Sequence, residues 1–331
     1  MTVLNPDKRR ARSGAILARA AMASALLVAA HAPAATRAAS TDPSAVPWNS
    51  GVSCFYQSGF DLAAFAAWRG SPVRALHGWA GKDLAAAPAY FAGGSYGQFL
   101  RRNPAVIAIS TPLLPAGGTL GQCAAGAYDS LFRQIGEIIA RRGRPDTILR
   151  LGWEMNLRWA SWSAVPDPEA YKACFRRAVQ AIRSTLPGAR IDWTLGRGNK
   201  MTDWTLAYPG DDVVDIIGLS YYDRAPSIKT EADWDKYARM SPTARTTGIL
   251  TVIDFARARG KKVAVGEWAV SDGIYDGFDN PLFVTKMHET FMANKDIIAY
   301  ETYYNCGSNG VYKIYPEFHN PKAAAAYRQL W

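Results

Sequence analysis

Eight short apolar runs alternate with polar or amphipathic segments along most of the chain. The runs are rich in Val, Ile and Leu, as buried strands are, and they cover residues 51–57, 73–80, 105–111, 147–154, 190–196, 213–222, 261–269 and 297–305. The clearest amphipathic segments, which predict helices, cover residues 124–142, 168–185, 242–259 and 280–294. Near-continuous apolar strands that alternate with helices indicate a parallel sheet covered on its outside by helices.

Eight strand-helix units in about 260 residues are typical of a (β/α)8 TIM barrel, an α/β fold with one large core. We therefore predict a single barrel domain over residues 49–331. The structural alternative is a pair of open α/β halves. It is disfavoured because no Gly-rich phosphate-binding turn follows the first strand, as a dinucleotide-binding fold would require.

The first 39 residues read as an export signal rather than as part of the barrel. A basic start at residues 8–12 precedes the short apolar, Ala-rich stretch "AAMASALLVAAHAPA", and small residues follow it. A Pro-containing linker then covers residues 40–48. The alternative is an N-terminal membrane anchor, but the apolar stretch is short for a span. We expect a secreted or periplasmic bacterial protein with no stable membrane association once the signal is removed.

The net charge of +10 shrinks once the predicted signal is discounted. Residues 1–40 hold six Lys or Arg and one Asp, so they account for five of those charges. No Lys/Arg cluster with interleaved aromatic residues occurs in the body of the chain, so nucleic acid is not predicted as a partner. An acidic polysaccharide is compatible with the remaining charge but is not demanded by it.

Four cysteines lie in the predicted mature chain, and an even number in an exported protein favours two disulfides. Strands 1 and 8 are neighbours in a closed barrel, and Cys54 and Cys306 both lie near the ends of those strands. We therefore predict a Cys54–Cys306 bond, which leaves Cys123 to pair with Cys174. Free buried thiols are the alternative. The spacings match no zinc pattern, and neither a metal nor a cofactor is expected.

Polar side chains that follow the predicted strands indicate where a site would lie, because barrel enzymes act at the carboxyl ends of their strands. These side chains are Glu154 and Asn156 after strand 4, Tyr221, Tyr222 and Asp223 at strand 6, and Glu267 in "VAVGEWAV" at strand 7. Strand ends 4 and 7 lie across the narrow mouth of a barrel, so we expect their two carboxyl groups at the roughly 5–5.5 Å separation of retaining glycosidases.

The two glutamates are predicted to differ in role because their surroundings differ. Glu154 lies among indoles, where loss of solvation raises the pKa of a carboxyl group and lets it donate a proton. Glu267, with a strand 6 tyrosine as hydrogen-bond donor, suits an ionised nucleophile. For each glutamate taken alone, a salt-bridged structural carboxylate is the competing interpretation.

Aromatic residues gather at the same strand ends, and sugar rings present apolar C–H faces that pack on such platforms. Any one of them can equally be barrel packing, and Trp193, in mid-strand, is assigned to the core. The predicted substrate contacts are Trp153, Asn156, Trp159, Trp162, Tyr221, Tyr222, Trp268, Tyr303 and His77. For His77, a hydrogen-bonded core histidine is the favoured alternative.

The segment "RLGWEMNLRWASW" resembles the acid/base segment of glycoside hydrolase family 26, which has an Arg, a Glu and then several Trp in this order. Arg150, Glu154, Trp159 and Trp162 match it without a gap. The resemblance implies a retaining TIM-barrel hydrolase of the clan that includes β-mannanases. It further implies Glu154 as acid/base, Glu267 as nucleophile, and Tyr222, with Tyr221 in reserve, as the tyrosine that hydrogen-bonds the nucleophile.

This chain departs from the family pattern at three places. Trp153 stands where the family usually has His before the acid, and no His follows strand 3. The strand 8 aromatic, commonly Trp, is expected to be Tyr303. These departures leave hydrolysis by two glutamates intact but remove the basis for predicting mannan as the substrate.

We therefore expect a secreted retaining endo-β-glycanase that acts on a polysaccharide or oligosaccharide such as β-mannan, β-glucan or a bacterial exopolysaccharide. A non-catalytic glycan-binding barrel is the alternative from a different class. A transglycosylase that uses the same two glutamates is a third hypothesis. The linkage, endo or exo action and the oligomeric state do not follow from the sequence.

Overall fold

A computed structural model describes residues 46–307, 310–316 and 319–331. Its eight strands are β1 Ser50–Ser53, β2 Ala75–Trp79, β3 Val106–Thr111, β4 Ile148–Leu151, β5 Arg190–Gly196, β6 Ile216–Asp223, β7 Lys262–Val270 and β8 Ile298–Tyr303. Each strand pairs in parallel with the next, and β8 pairs with β1, so the sheet closes. The predicted α/β barrel is confirmed.

Helices connect most of the strands and cover the outside of the barrel. They are α1 Leu62–Arg69, α2 Ala87–Ala92, α3 Gly94–Arg102, α4 Leu120–Ala124, α5 Asp129–Arg141, α6 Pro168–Arg183, α7 Glu231–Tyr237, α8 Ile249–Arg257, α9 Pro281–Ala293 and α10 Pro321–Leu330. Their N-termini show the expected chemistry: the side chains of Asp61 and Asp167 accept backbone N–H groups at the starts of α1 and α6.

Most predicted elements differ from the structure by a few residues at their ends, and in two cases a glycine with positive φ explains the difference. The helix predicted over residues 124–142 starts only at Asp129, as α5, because Gly126, between α4 and α5, has φ +87°, a conformation that no helix contains. The predicted strand over residues 147–154 ends earlier, at Leu151, because the chain turns at Gly152 with φ +56°. Glu154 therefore lies in a tight turn after the strand.

The barrel interior has an apolar layer near the amino ends of the strands and a polar layer above it. The apolar layer consists of Ala75, Val106, Ala108, Ile148, Ile216, Ala264 and Tyr300. Above it, Arg150 projects inward from β4 and is fully buried. Buried polar groups are costly unless they are hydrogen-bonded, and both terminal nitrogens of Arg150 have such partners within this layer.

The end of the predicted linker belongs to the packed fold. Val46 and Trp48 are buried in the main hydrophobic core, and the Trp48 indole N–H donates to Glu301 of β8 at 3.3 Å. The linker predicted over residues 40–48 is corrected at this end, since burial of an indole fixes the backbone that carries it.

Both predicted disulfides are present. Cys54 bonds Cys306 across a sequence separation of 252 residues, and Cys123 bonds Cys174 across 51 residues. The first bond joins the chain just after β1 to the chain just after β8, at the seam where the barrel closes. Bonds that close long loops stabilise chiefly by restricting the unfolded chain, typically by about 2–4 kcal/mol each.

The predicted signal over residues 1–39 lies outside the described residues. Among the helices that are described, none has the length and apolar character needed to cross a bilayer. Within the same part of the chain, no group of three or more His, Cys, Asp or Glu side chains is placed to hold a metal ion.

Candidate active site

A β-bulge in β7 brings Glu267 to the mouth of the barrel. Gly218 of β6 pairs with Ala264 of β7, and Ser220 of β6 pairs with Glu267 of β7. Between these two pairs β6 advances by two residues and β7 by three, so β7 carries one extra residue. A regular strand that points Ala264 inward would also point Gly266 inward and Glu267 outward. The bulge reverses this alternation, as bulges beside active sites commonly do.

A strained turn presents Glu154 at the same mouth. Glu154 has φ +55°, a left-handed conformation that non-glycine residues rarely adopt. Its backbone N–H donates to the carbonyl of Thr194 at 2.8 Å, and its carbonyl accepts the Leu157 N–H at 3.0 Å. Two residues earlier, Gly152 has φ +56°, a conformation that favours glycine, and a Cβ there would also lie 2.3 Å from Leu113 Cδ1. Strain of this kind is typical of functional sites.

The Glu154 carboxyl group is buried but has few polar partners. The Trp159 indole N–H donates to Glu154 Oε2 at 2.8 Å. Burial first, and then the charge of Glu267, raises the pKa of Glu154 to about 7, while hydrogen bonds from Trp159 and Ser220 and the charge of Arg224 oppose the rise. At neutral pH a large fraction of Glu154 therefore carries a proton.

The Glu267 carboxylate has strong donors on both oxygens. Arg150 Nη1 donates to Glu267 Oε1 at 2.7 Å, and the Tyr222 hydroxyl donates to Oε2 at 2.8 Å. Arg150 is fully buried, so its charge acts with little screening by water. These two contacts balance the charge of Glu267 and fix the orientation of its carboxylate.

Arg150 itself is held by a buried polar network. Its Nη1 contacts His77 Nε2 at 2.7 Å and Ser110 Oγ at 3.0 Å, and its Nη2 donates to Ser220 Oγ at 3.2 Å. Burial alone would lower the pKa of Arg150, but the charge of Glu267 and other anionic groups reverse this and raise it. The guanidinium is therefore a permanent cation beneath Glu267.

An open groove of about 440 Å³ runs over both glutamates. Its lining residues are Cys54, Gln57, Trp79, Lys82, Trp153, Glu154, Trp159, Tyr222, Arg224, Glu267, Tyr304, Cys306, Gly307 and Tyr312. The Cys54–Cys306 disulfide thus forms part of the wall. Trp159 is the most exposed of the indoles near Glu154, with 42% of its surface accessible.

Four predicted substrate contacts lie in the packed interior, and for these the prediction is corrected. Tyr221, Trp268 and Tyr303 point outward from the sheet: Tyr221 and Trp268 pack on Phe283 of α9, and Tyr303 packs on Tyr327 of α10. Their side chains alternate with the inward-pointing ones, so they lie on the outer face of the sheet, under the helices and away from the groove.

Trp162, the fourth, is buried beneath the groove. Its indole N–H donates to the backbone carbonyl of Trp153 at 3.0 Å, and the two rings pack with centroids 4.7 Å apart. Trp162 therefore supports Trp153, which itself lines the groove, rather than contacting a ligand.

Asn156 and His77 are structural in the same sense. The Asn156 amide donates to the carbonyls of Gly196 and Gly198 at 3.0 and 2.7 Å, which ties the turn after β4 to the end of β5. His77 lies inside the barrel with Nδ1 against Ser53 at 3.0 Å. Burial and then the charge of Arg150 hold the pKa of His77 well below its usual value, so the ring is neutral.

The structure also adds groove residues that were not predicted as substrate contacts. Trp79 is the last residue of β2, two positions beyond the inward-pointing His77, and Tyr304 directly follows β8. Tyr304 occupies the place expected for Tyr303. The alternation of inward- and outward-pointing side chains along each strand was the sequence signal that could have identified Trp79 and Tyr304. Lys82, Arg224 and Tyr312 lie in loops, where no periodicity marks them.

The fold and the site together define a class: a closed (β/α)8 barrel with two glutamates, in unlike electrostatic surroundings, in one groove at the carboxyl ends of β4 and β7. The family model described as glycosyl hydrolase family 26 matches residues 141–280, which include both glutamates. Over these residues the chain is therefore similar to glycoside hydrolase family 26.

Curated relatives agree with this assignment. A mannan endo-1,4-beta-mannosidase from Bifidobacterium adolescentis is 26% identical over 219 residues, which cover 61% of this chain and 21% of that protein. A beta-1,3-xylanase from an Alcaligenes species is 30% identical over 140 residues, which cover 39% of this chain and 26% of that protein. The chain thus spans about a quarter or less of the length of these relatives.

Solved structures share the fold. A modular endo-beta-1,4-mannanase from Cellulomonas fimi superposes with a TM-score of 0.61 at 18% identity, over 85% of this chain and 70% of that chain. The catalytic domain of a family 26 endo-beta-1,4-mannanase from a Bacillus species gives 0.60 at 16% identity, over 86% and 85%. At these identities the likeness concerns the barrel alone.

Proposed function

We propose that this protein is a retaining endo-β-glycanase that hydrolyses a polysaccharide by double displacement. The observation that carries the proposal is the unlike state of two glutamates in one groove. Burial and a neighbouring negative charge raise the pKa of Glu154 to about 7, whereas Glu267 is paired with a buried Arg150 at 2.7 Å. One group suits proton donation and the other suits nucleophilic attack.

In the first step, the Glu267 carboxylate attacks the anomeric carbon while Glu154 transfers its proton to the glycosidic oxygen. The bond from that carbon to the leaving oxygen breaks, and the released chain departs as a neutral alcohol. The sugar is left esterified to Glu267. Glu154, now ionised, has become a base.

In the second step, the Glu154 carboxylate takes a proton from a water molecule as the water oxygen attacks the anomeric carbon. The ester to Glu267 breaks, and both glutamates return to their starting protonation states. Two inversions give net retention of configuration. The Tyr222 hydroxyl, 2.8 Å from Glu267 Oε2, and Arg150 hold the nucleophile in place for both steps.

The aromatic lining of the groove suits a chain of sugar rings. Trp79, Trp153, Trp159, Tyr304 and Tyr312 all line it. Apolar C–H faces of pyranose rings pack on such side chains, which leaves the sugar hydroxyls free for hydrogen bonds. An open groove, in contrast to a closed pocket, accepts the middle of a polymer, which supports endo action.

The relatives support a β-linked polysaccharide as the substrate but differ in which one. One is named for β-1,4-mannan and the other for β-1,3-xylan. A mannan, a mixed-linkage glucan, a xylan and bacterial exopolysaccharides are therefore the panel to test. We further propose that the protein acts outside the cytoplasm, because its two disulfides favour an oxidising compartment.

The test is release of reducing ends across this panel by wild type, Glu154→Gln and Glu267→Ala. We expect the nucleophile variant to lose about 10⁴-fold or more of kcat/KM on the glycan that wild type cleaves. Glu137→Gln is the matched control, since Glu137 is an exposed glutamate on α5 and does not line the groove. Equal activity of all four proteins would refute the assignment.

Azide identifies the two roles separately. With an activated aryl glycoside of the cleaved sugar, azide replaces water in Glu154→Ala and gives the β-glycosyl azide, whereas in Glu267→Ala it attacks directly and gives the α-glycosyl azide. If Glu154→Ala gave the α-azide and Glu267→Ala gave the β-azide, Glu267 would be the acid/base and Glu154 the nucleophile. Tight binding of a glycan that wild type does not cleave would instead support a non-catalytic barrel.

A further inference from the structure

The groove holds two cationic side chains that are not used by the proposed reaction. We propose that the glycan bound in it is anionic, with carboxylate groups on the sugars on either side of the cleavage point, and that Lys82 and Arg224 bind those carboxylates. This inference rests on the proposed function for the place of cleavage and specifies its substrate class.

Arg224 is held in the groove by aromatic rings. It directly follows β6, and its guanidinium carbon lies 4.8 Å from the ring centroid of Tyr222 and 5.2 Å from that of Tyr275. The guanidinium also hydrogen-bonds the uncharged hydroxyl of Tyr312, and its charge acts on the carboxyl group of Glu154. Rings that cover the faces of a guanidinium leave its N–H edge available, and that edge matches a carboxylate with two parallel hydrogen bonds.

Lys82 lies on the other side of Glu154, beside the exposed indole. Its ammonium nitrogen is 5.1 Å from the centroid of the Trp159 ring, and Trp159 in turn donates to Glu154. Each cation is thus paired with an exposed aromatic side chain, Lys82 with Trp159 and Arg224 with Tyr275, whose exposed fractions are 42% and 67%. An aromatic platform next to a cation suits a sugar ring that carries a carboxylate.

Neither cation has a carboxylate partner among the described residues, which sets them apart from many others in this protein. Arg176 and Asp212 form an ion pair at 2.7 Å, as do Arg177 and Asp129 at 2.6 Å. In the groove, Arg150 already balances Glu267, and the pKa of Glu154, about 7, leaves about half of that group neutral at pH 7. The groove lining therefore keeps a net positive charge, from Lys82 and Arg224, where the substrate binds.

A neutral glycan would gain little from these two charges and would partly strip them of water. A uronic acid, whose C6 is a carboxylate in place of a hydroxymethyl group, would pair with them instead. Poly-β-1,4-mannuronate and β-1,4-mannan differ only in this atom group, as do poly-β-1,4-glucuronate and the β-1,4-glucan chain. Each pair therefore isolates the effect of charge.

The experiment measures binding without turnover. A Glu267→Gln protein is titrated calorimetrically with hexamers of mannuronate, mannose, glucuronate and glucose in 20 mM NaCl. We expect at least one uronate hexamer to bind about tenfold or more tighter than its neutral counterpart. Its affinity should fall severalfold when the salt is raised to 200 mM, because screening weakens exposed charge pairs.

Added substitutions test the two residues. Lys82→Gln and Arg224→Gln together should bring the uronate and neutral hexamers to within about twofold of each other, and Arg224→Lys should restore part of the difference. The control is Lys295→Gln, because Lys295 is exposed in the turn before β8, at the opposite end of the barrel. It makes the same charge change and should leave the preference intact.

Equal binding of charged and neutral hexamers, absence of binding by both uronates, or a preference that survives the double substitution would overturn the inference. The proposed function fails by a different observation. If wild type binds uronates selectively but releases no reducing ends from either uronate polymer or from the neutral panel, the catalytic proposal falls and the charge preference stands. If wild type cleaves a neutral glycan and shows no preference for charged hexamers, the charge inference falls and the catalytic proposal stands.

Discussion

Glu154 and Glu301 are two buried glutamates surrounded by tryptophans, yet their surroundings differ in one decisive respect. The Glu301 carboxylate accepts three indole N–H bonds, from Trp48 at 3.3 Å, Trp331 at 2.9 Å and Trp268 at 2.6 Å. Glu154 accepts one such bond, from Trp159 at 2.8 Å, and lines an open groove.

Under the proposed mechanism, the difference separates a structural carboxylate from a catalytic one. Around Glu301 the donors come from the N-terminal segment, β7 and the C-terminal residue, so the carboxylate ties the two ends of the described fold to the barrel wall. Burial raises the pKa of both groups. For Glu154, the adjacent charge of Glu267 adds to that rise, and the open face lets the proton reach a ligand. Indoles around a carboxylate thus do not by themselves mark a catalytic site.

The same substitution in the two places should therefore have opposite consequences. Glu154→Gln removes the proposed proton donor, so we expect kcat/KM on a polysaccharide to fall about 10²–10⁴-fold, with little change in thermal stability. An activated aryl glycoside, whose leaving group needs little protonation, should lose much less. Steady-state kinetics on both substrates measure this, and equal losses on both would contradict an acid role.

Glu301→Gln should lower stability and spare activity. The amide nitrogen of Gln would face an indole N–H that the carboxylate now accepts, so one buried donor loses its partner at a cost of about 1–3 kcal/mol in the free energy of unfolding. Urea unfolding measures the loss. We expect kcat/KM to stay within about threefold of wild type, and a large fall in kcat/KM without loss of stability would remove the distinction between the two sites.

Tyr222→Phe tests whether the hydrogen bond from Tyr222 supports Glu267, the proposed nucleophile. The hydroxyl of Tyr222 donates to Glu267 at 2.8 Å, so its removal should lower kcat/KM about tenfold. The adjacent Tyr221 provides the control, because its ring is buried on the outer face of the sheet, away from the groove. Tyr221→Phe should keep activity within about twofold. Equal effects of the two changes would argue against a specific role for Tyr222.

Trp159→Phe should have the smallest effect, a shift of the pH profile. Proton donation needs the neutral form of Glu154, so kcat/KM should fall as pH rises through its pKa of about 7. The Trp159 hydrogen bond favours the ionised form and lowers that pKa. Its loss should move the alkaline limb to higher pH. Trp162→Phe, which leaves the carboxyl contact intact, should not move it, and an acid-ward shift in Trp159→Phe would be inconsistent with this role.

Much of the fold was predictable because the apolar runs of a parallel barrel are strong signals, and the seam between β1 and β8 follows from closure. The disulfide between Cys54 and Cys306 followed from that seam. Which side chains point into the barrel was less well predicted, although the alternation of residues along each strand contained this information. Strict alternation from Gly218 points Tyr222 inward and Tyr221 outward, and from Tyr300 it selects Tyr304 over Tyr303.

Glu267 is the instructive exception to alternation. Counting from Ala264 places it on the outer face, and only the extra residue in β7 turns it inward. A bulge is set by pairing with neighbouring strands and leaves little trace in the local sequence. The φ of +55° at Glu154 is likewise imposed by tertiary contacts, notably the bond to Thr194. Sequence pattern therefore located the two glutamates, while their orientation depends on long-range geometry.

The most direct test of the central claim is a side-chain ¹³C NMR titration of Glu154 in wild type and in Glu267→Gln. The titrating signal is assigned by its absence from Glu154→Gln. We predict a pKa of about 7 in wild type and a lower pKa in Glu267→Gln, because the neighbouring negative charge is gone. A wild-type pKa near the ordinary value of 4.5, or one that does not change when Glu267 is neutralised, would contradict the account.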